Sequence, residues 1–344
     1  MSISFSRTNL RLRPVRQEVL DLLARYSLGL DNDVEHIIEA REEDGSLVAC
    51  GGLAGNVLKS IAISDAVRGG GFALTLMTEL ISTAWEMERH NLFLYTKPEN
   101  EMLFAQCGFS TLASVPGYAV LMENSKTRLA RYCEELAGAR KPGARIGGLV
   151  MNCNPFTNGH RYLVEETAKV CDWVHLFLVK EDLAMFPCAD RLHLVQEGTR
   201  GIANLTVHPG SEYMISQATF PRYFLKGEAN INHACAGLDI QIFRTNIAPA
   251  LGITDRFVGD EPFCALTSSY NDELSFWLQT PEIDAPPVAL TIIPRTQEGE
   301  VPISASRVRK LWKAEGPEAV RPLVPESTYV YLRQHDELRR SHSS

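Results

Sequence analysis

Asn152-Cys153-Asn154-Pro155-Phe156-Thr157-Asn158-Gly159-His160 separates two segments of different character. Before it, Ile146-Gly147-Gly148-Leu149-Val150-Met151 is an apolar run that reads as a buried strand. After it, Leu163, Val164, Ala168 and Cys171 recur at helical spacing. Asn, Pro and Gly in between end strands and begin turns. The layout is strand, polar turn, helix, with His160 at the helix start. A helix N-terminus offers unpaired N–H groups and the positive end of a dipole, which favours phosphate. Gly159 permits close backbone approach, Thr157 adds a hydroxyl, and His160 adds a ring N–H that can donate to a phosphate oxygen. By itself the stretch reads equally as a capped helix with an incidental histidine.

A second stretch, Ile303-Ser304-Ala305-Ser306-Arg307-Val308-Arg309, also follows a strand-like run and opens a helix. Its hydroxyls and guanidinium could hold the same phosphates from the other side. The pair resembles the nucleotidyltransferase superfamily, with its (H/T)-x-G-H and I-S-S-T-x-x-R signatures. Ala305 and Ser306 stand where that pattern has Ser and Thr, so one hydroxyl is lost. From Ile146 onward strands are predicted at Val174–Val179, Leu205–Val207, Phe257–Val258 and Val288–Ile293, and a helix over Asp190–Ile202. Alternation of this kind predicts an α/β fold with a parallel, Rossmann-like sheet. Ligands of such sheets sit at the carboxyl ends of strands, at a switch point. The turn ending at His160, Lys180-Glu181-Asp182, Gly259-Asp260-Glu261 and the approach to Ile303 all follow strands.

The first half, residues 1–123, reads as an α+β unit with strands near Ser46–Leu53, Ser60–Ile63, Leu92–Thr96 and Tyr118–Met122. Arg68-Gly69-Gly70-Gly71-Phe72-Ala73 precedes a helix whose apolar stripe includes Leu76, Met77, Leu80 and Ala84. This loop resembles the pyrophosphate loop of the GNAT acyltransferases, which bind coenzyme A. Asn100, Phe104, Gly108 and Phe109 resemble that family's next motif. The loop either binds phosphate or is only a helix start in a fold that no longer acylates. Residues 124–145 read as a linker, partly helical, and 146–344 as the nucleotidyltransferase-like unit.

Further stretches narrow the second resemblance. Phe186-Pro187-Cys188-Ala189-Asp190-Arg191, the block Ile242 to Ile253, and Arg256 to Phe263 continuing to Asn271 resemble the citrate lyase ligase family in order. That resemblance implies an acid–thiol ligase. It would activate acetate with ATP as acetyl-adenylate, acetylate the prosthetic-group thiol of the citrate lyase acyl carrier subunit, and release AMP and pyrophosphate. It implies catalytic roles for Thr157, His160 and Arg309. It implies ATP or phosphate contacts for Asn154, Phe156, Gly159, Lys180, Arg191, Gly259, Glu261, Ser304 and Ser306. Lys180 and Arg191 read equally as members of structural ion pairs. Mg²⁺ would come bound through the ATP phosphates, with no dedicated protein metal site. The loop Arg68 to Ala73 would hold the coenzyme-A-like arm of the carrier. An adenylyltransferase acting on a phosphorylated metabolite, and a nucleotide sensor without activity, are the other readings.

Composition is consistent with this. The 344 residues suffice for two domains, with 45% hydrophobic and 22% charged residues. A formal net charge of −8 argues against a general nucleic-acid binder. No apolar run approaches the roughly 18–20 residues that span a membrane. Eight cysteines occur singly, without C-x-x-C, which points away from zinc and disulfides and toward a reducing, cytoplasmic setting. Arginines among the first 17 residues read as a strand face. His175, in an apolar strand, reads as a core histidine.

Overall fold

The computed structural model describes residues 3–69, 71–180, 184–215, 220–260, 265–294, 296–298 and 301–336. The chain forms two compact units: Met1–Leu129 with Phe220–Leu238, and Ala130–Thr219 with Asp239–Ser344. Sequence spacing put the divisions at 123 and 146. It carried no sign that a segment beyond residue 219 joins the first unit.

The first unit is built on seven strands: β1 (Ser4–Asn9), β2 (His36–Arg41), β3 (Leu47–Ala54), β4 (Val57–Ile63), β5 (Phe93–Thr96), β6 (Ser110–Val115) and β7 (Ala119–Glu123). Their order is β1-β2-β3-β4-β5-β7-β6. All neighbours are antiparallel except β4 and β5. The helices here are α1 (Gln17–Arg25), α2 (Phe72–Glu86), α3 (Glu101–Gln106) and the start of α4 (Arg128–Ala137). The stripe of α2 buries Leu76, Met77, Leu80 and Ala84 against Leu53, Leu58 and Leu94. Burial of each large side chain stabilises by roughly 1.5–3 kcal/mol, enough to fix α2 and the loop before it. Gly51 makes this packing possible, because a Cβ there would lie 2.6 Å from Leu80 Cδ1. The arginines of the first 17 residues do not share a strand face: only Arg7 lies on β1, where it meets Glu86 at 3.2 Å, while Arg11, Arg13 and Arg16 follow the strand, Arg16 meeting Glu39 at 3.7 Å.

The second unit has a parallel sheet of β8 (Ile146–Met151), β9 (Trp173–Leu178), β10 (Leu205–His208), β11 (Asp255–Gly259) and β12 (Ala289–Ile293), in the order β10-β9-β8-β11-β12. A hairpin of β13 (Gln297–Glu298) and β14 (Val301–Pro302) precedes the second motif. The helices are α5 (Asn158–Val170), α6 (Cys188–Gly198), α7 (Glu228–Ile242), α8 (Ala248–Leu251), α9 (Ala265–Gln279), α10 (Ala305–Glu315) and α11 (Glu326–Gln334). The first residues of α7, to Leu238, group with the first unit. Strand order reverses at β8. There β8 and β11 pair only through Gly147↔Asp255 and Gly148↔Arg256, then part toward their carboxyl ends. The α/β class expected from sequence is the class observed.

Some expectations need correction. The helix drawn over Asp190–Ile202 starts at Cys188 and ends at Gly198. The C-terminal helix α11 buries Tyr329 and Leu332 in a cluster with Phe186 and Trp312. Strands β2 and β6 were not anticipated. Among the described residues seven cysteines are free, and no helix is long and apolar enough to cross a membrane. Cys264 lies outside the described residues.

Candidate active site

The parting of β8 and β11 leaves a crevice that α5 and α10 enter with their N-termini. Thr157 is the N-cap of α5, and its Oγ1 accepts from the His160 backbone N–H at 3.3 Å. In return the Thr157 N–H donates to His160 Nδ1 at 3.1 Å. This reciprocal cap also decides the tautomer. A backbone N–H can only donate, so Nδ1 is the acceptor and Nε2 carries the proton. The His160 ring stacks on fully buried Phe156, with centroids 5.8 Å apart and planes 16° apart. Room for Phe156 comes from Gly198, where a Cβ would meet its ring at 2.5 Å.

The second motif is built the same way. Ser304 caps α10, its Oγ accepting from Arg307 N–H at 3.2 Å. Arg309 donates from Nη2 to Ser306 Oγ at 3.1 Å and from Nη1 to the Asn154 carbonyl. One guanidinium thus ties the second motif to the first. Gly159 completes the junction, because a Cβ there would lie 2.9 Å from the Ile303 carbonyl oxygen. The close approach anticipated at Gly159 is made by the protein's own backbone.

Thr157, Gly159, His160, Gly259, Ser304 and Ala305 border a cavity of about 190 Å³ at the strand ends. That is below the ~300–1,000 Å³ of pockets enclosing a whole small ligand. Glu261, which follows β11, lies outside the described residues, as do Glu181 and Asp182. Sequence reading missed Met151, Tyr162, Pro294 and Thr296 on the cavity wall. Tyr162 could have been found, since it lies two residues past His160; Pro294 and Thr296 carry no local pattern.

A family model described as "Citrate lyase ligase C-terminal domain" matches residues 146–332. The Escherichia coli K12 protein named citrate (pro-3S)-lyase ligase is 56% identical over 316 residues, 92% of this chain and 90% of that one. The protein of that name from Klebsiella pneumoniae is 48% identical over 335 residues, 97% of each chain. The chain belongs to the citrate lyase ligase family. Its members are ligases, and this chain is an enzyme of that kind. Among solved structures, Escherichia coli ElaA aligns over 36% of this chain and 100% of its own, at 17% identity and a TM-score of 0.33. A Pseudomonas aeruginosa acyl-CoA N-acyltransferase aligns over 36% and 100%, at 17% identity and a TM-score of 0.31.

Other expected site residues of this ligase lie apart from the cavity. Arg191 is fully buried. Its Nη1 donates to the Asn152 carbonyl at 2.6 Å and the Val179 carbonyl at 3.0 Å, and its Nε to the Phe186 carbonyl at 3.1 Å. It braces the carboxyl ends of β8 and β9 from a fully buried position. Lys180 is ion-paired with Glu212 at 2.7 Å. Asn154 accepts from the Phe186 N–H through Oδ1 at 3.2 Å, so it shapes the turn. Cys153 is buried, and burial pushes its thiol far above the ordinary range, which makes it a poor nucleophile.

The first unit of the ligase has a larger cavity of about 640 Å³. Arg68, Gly69, Gly71 and Ala73 of the glycine-rich loop border it. Phe72 turns to the core instead and stacks on Phe5 at 6.4 Å. Gly70 lies outside the described residues. Arg68 pairs with Asp65 at 2.9 Å and stands over the Tyr26 ring at 5.1 Å. Gly69 and Gly71 adopt φ of 114° and 81°, and a Cβ at either would meet nothing within 4 Å. Backbone conformation, not crowding, demands glycine there.

Proposed function

We propose that this chain activates citrate lyase by acetylating the prosthetic-group thiol of its acyl carrier subunit. ATP and acetate react first to acetyl-adenylate and pyrophosphate; the thiol then takes the acetyl group and AMP leaves. The observation that carries the reading is the convergence of two capped helix starts, at Thr157 and Ser304, beside Gly259 in one crevice.

The residues suit the chemistry. Acetate is ionised at neutral pH and needs no base to attack the α-phosphorus. What the step requires is positioning and neutralisation of the departing pyrophosphate. The His160 Nε2–H is a preorganised donor whose direction is held by the Thr157 N–H. Ser304 and Ser306 offer hydroxyls, and Arg309 supplies the charge. Among the described residues no group of three His, Cys, Asp or Glu side chains could hold a metal. Mg²⁺ would be carried by the phosphates of ATP, where it offsets their charge. The thiol step fits a reducing, cytoplasmic setting. The cavity of the first unit, with its loop Arg68 to Ala73, would hold the coenzyme-A-like arm of the carrier.

The test is acetate-dependent exchange of labelled pyrophosphate into ATP. His160→Ala should lower exchange by on the order of 10²–10³ with the fold intact, as for other preorganised donors. Near wild-type exchange in the folded variant would refute the role. An adenylyltransferase would instead release an AMP-bearing metabolite, and a sensor would release nothing.

A further inference from the structure

β4 and β5 run parallel but pair only through Val57↔Phe93 and Leu58↔Leu94. Beyond these positions their facing edges separate, and Ile61, Ala62 and Ile63 of β4 and Tyr95 and Thr96 of β5 line the large cavity. Parallel strands that kept pairing would lie about 4.8 Å apart and leave no such space. Tyr223, more than a hundred residues further along the chain, stands in this gap and lines the same cavity. Its hydroxyl donates to the Tyr95 carbonyl at 2.7 Å, on the β5 side. Its own carbonyl accepts from the Gly29 N–H at 2.7 Å. The Gly29 carbonyl in turn accepts from Ser60 Oγ of β4 at 2.9 Å. Next to it the Arg222 N–H donates to Asp31 Oδ2 at 3.2 Å, a carboxylate that also receives the buried Lys59 ammonium of β4. Phe220 sets its ring edge-on to Tyr95 at 5.3 Å. One short segment is thereby tied to both strands.

We propose that Tyr223 is a wedge that holds β4 and β5 apart and so sets the width of the cavity that receives the carrier's thiol arm. The inference rests on the reading that the first unit holds that arm. Tyr223 is a positioning residue: it acts through the two strands and touches no reacting atom. Its ring supplies the bulk and its hydroxyl supplies the register on β5. Loss of the ring lets the strand edges approach and narrows the entry for a slender amide-bearing chain.

The experiment uses the full chain and measures carrier acetylation beside acetate-dependent pyrophosphate exchange. Tyr223→Ala should raise the carrier KM by roughly ten- to a hundredfold through misplacement of the arm, with exchange unchanged. Tyr223→Phe keeps the ring and loses one hydrogen bond, so its carrier KM should stay within about fivefold of wild type. If the alanine variant does not fold, Tyr223→Leu, which lacks the ring that fills the gap, must give the same split. Gly71→Asp, which crowds the glycine loop, is the companion variant. A raised KM for Gly71→Asp with an unmoved KM for Tyr223→Ala overturns the wedge and leaves the arm-binding reading standing. An unmoved KM in both overturns both. Equal loss of exchange and acetylation in Tyr223→Ala marks a merely structural residue and overturns the wedge as well.

Discussion

At the scale of single residues, the site depends on donors whose direction is settled before any ligand arrives. His160 is the example: the Thr157 N–H occupies Nδ1, so the proton must sit on Nε2. Arg309 is the second case, with two nitrogens aimed at the Asn154 carbonyl and Ser306 Oγ. Lysine keeps the charge but cannot reproduce that fork. Arg309→Lys should therefore slow pyrophosphate exchange by about ten- to a hundredfold, the worth of a hydrogen bond to a charged group. Calorimetry should show weaker ATP binding in the same variant; unchanged affinity and exchange together would remove Arg309 from the site. Both motifs were legible in the sequence because caps and turns are local. Arg191 was legible as a cation but not as a brace, since its partners are carbonyls on two different strand ends.

At the scale of elements, α5 and α10 meet where Gly159 faces the Ile303 carbonyl. Replacing glycine by alanine within an ordinary helix stabilises by about 1 kcal/mol. Here a Cβ at 2.9 Å from a backbone oxygen forces the helices apart, and overpacking of this kind costs about 1–3 kcal/mol. The overpacking term should win, so Gly159→Ala should lower the denaturation midpoint and slow exchange. A more stable variant with full exchange would contradict the close approach. The pairing of β9 and β10 carries a pH dependence. His175 Nδ1 and His208 Nε2 are 2.9 Å apart, and both rings are buried. Each is lowered from 6.5 to about 4, His208 by burial and His175 by burial first, then by the facing ring and Lys141. The unfolded chain therefore takes up protons first as pH falls. Stability is fully present above about 6.5 and drains away toward pH 4, by on the order of a few kcal/mol. Urea denaturation at pH 7.5 and pH 5 should differ accordingly, and a His175→Leu, His208→Leu double variant should reduce the difference. Equal wild-type stability at both pH values would mean that the rings are not held neutral.

At the scale of the whole molecule, the segment Phe220–Leu238 groups with the first unit although both flanking stretches belong to the second. Buried Phe220, Phe224 and Ile231 lie on it. Tyr118 meets His233 at 4.9 Å, and Tyr223 bonds Tyr95. A fragment of residues 146–344 would thus expose apolar side chains that the first unit covers. We expect this fragment to aggregate and the full chain to elute as a single species in size-exclusion chromatography. A well-behaved fragment with normal exchange would show that the segment folds without its sheet. The division suggested by composition, with a linker at 124–145, conceals this dependence because chain order and spatial order differ.

The sequence by itself determined what local physics encodes. Apolar runs ending in Asn, Pro or Gly marked β8 and its turn. Helical spacing after Gly71 and His160 marked α2 and α5, and the two hydroxyl-bearing helix starts pointed to phosphate. Only the tertiary structure decided which of these meet. The Ile303 carbonyl against Gly159, the Arg309 link to Asn154, the His175–His208 pair and the Tyr223 wedge each join residues brought together only by the folded chain. No periodicity or turn residue encodes such a pairing, because it is set by how strands order in a sheet and by which surfaces remain to be covered.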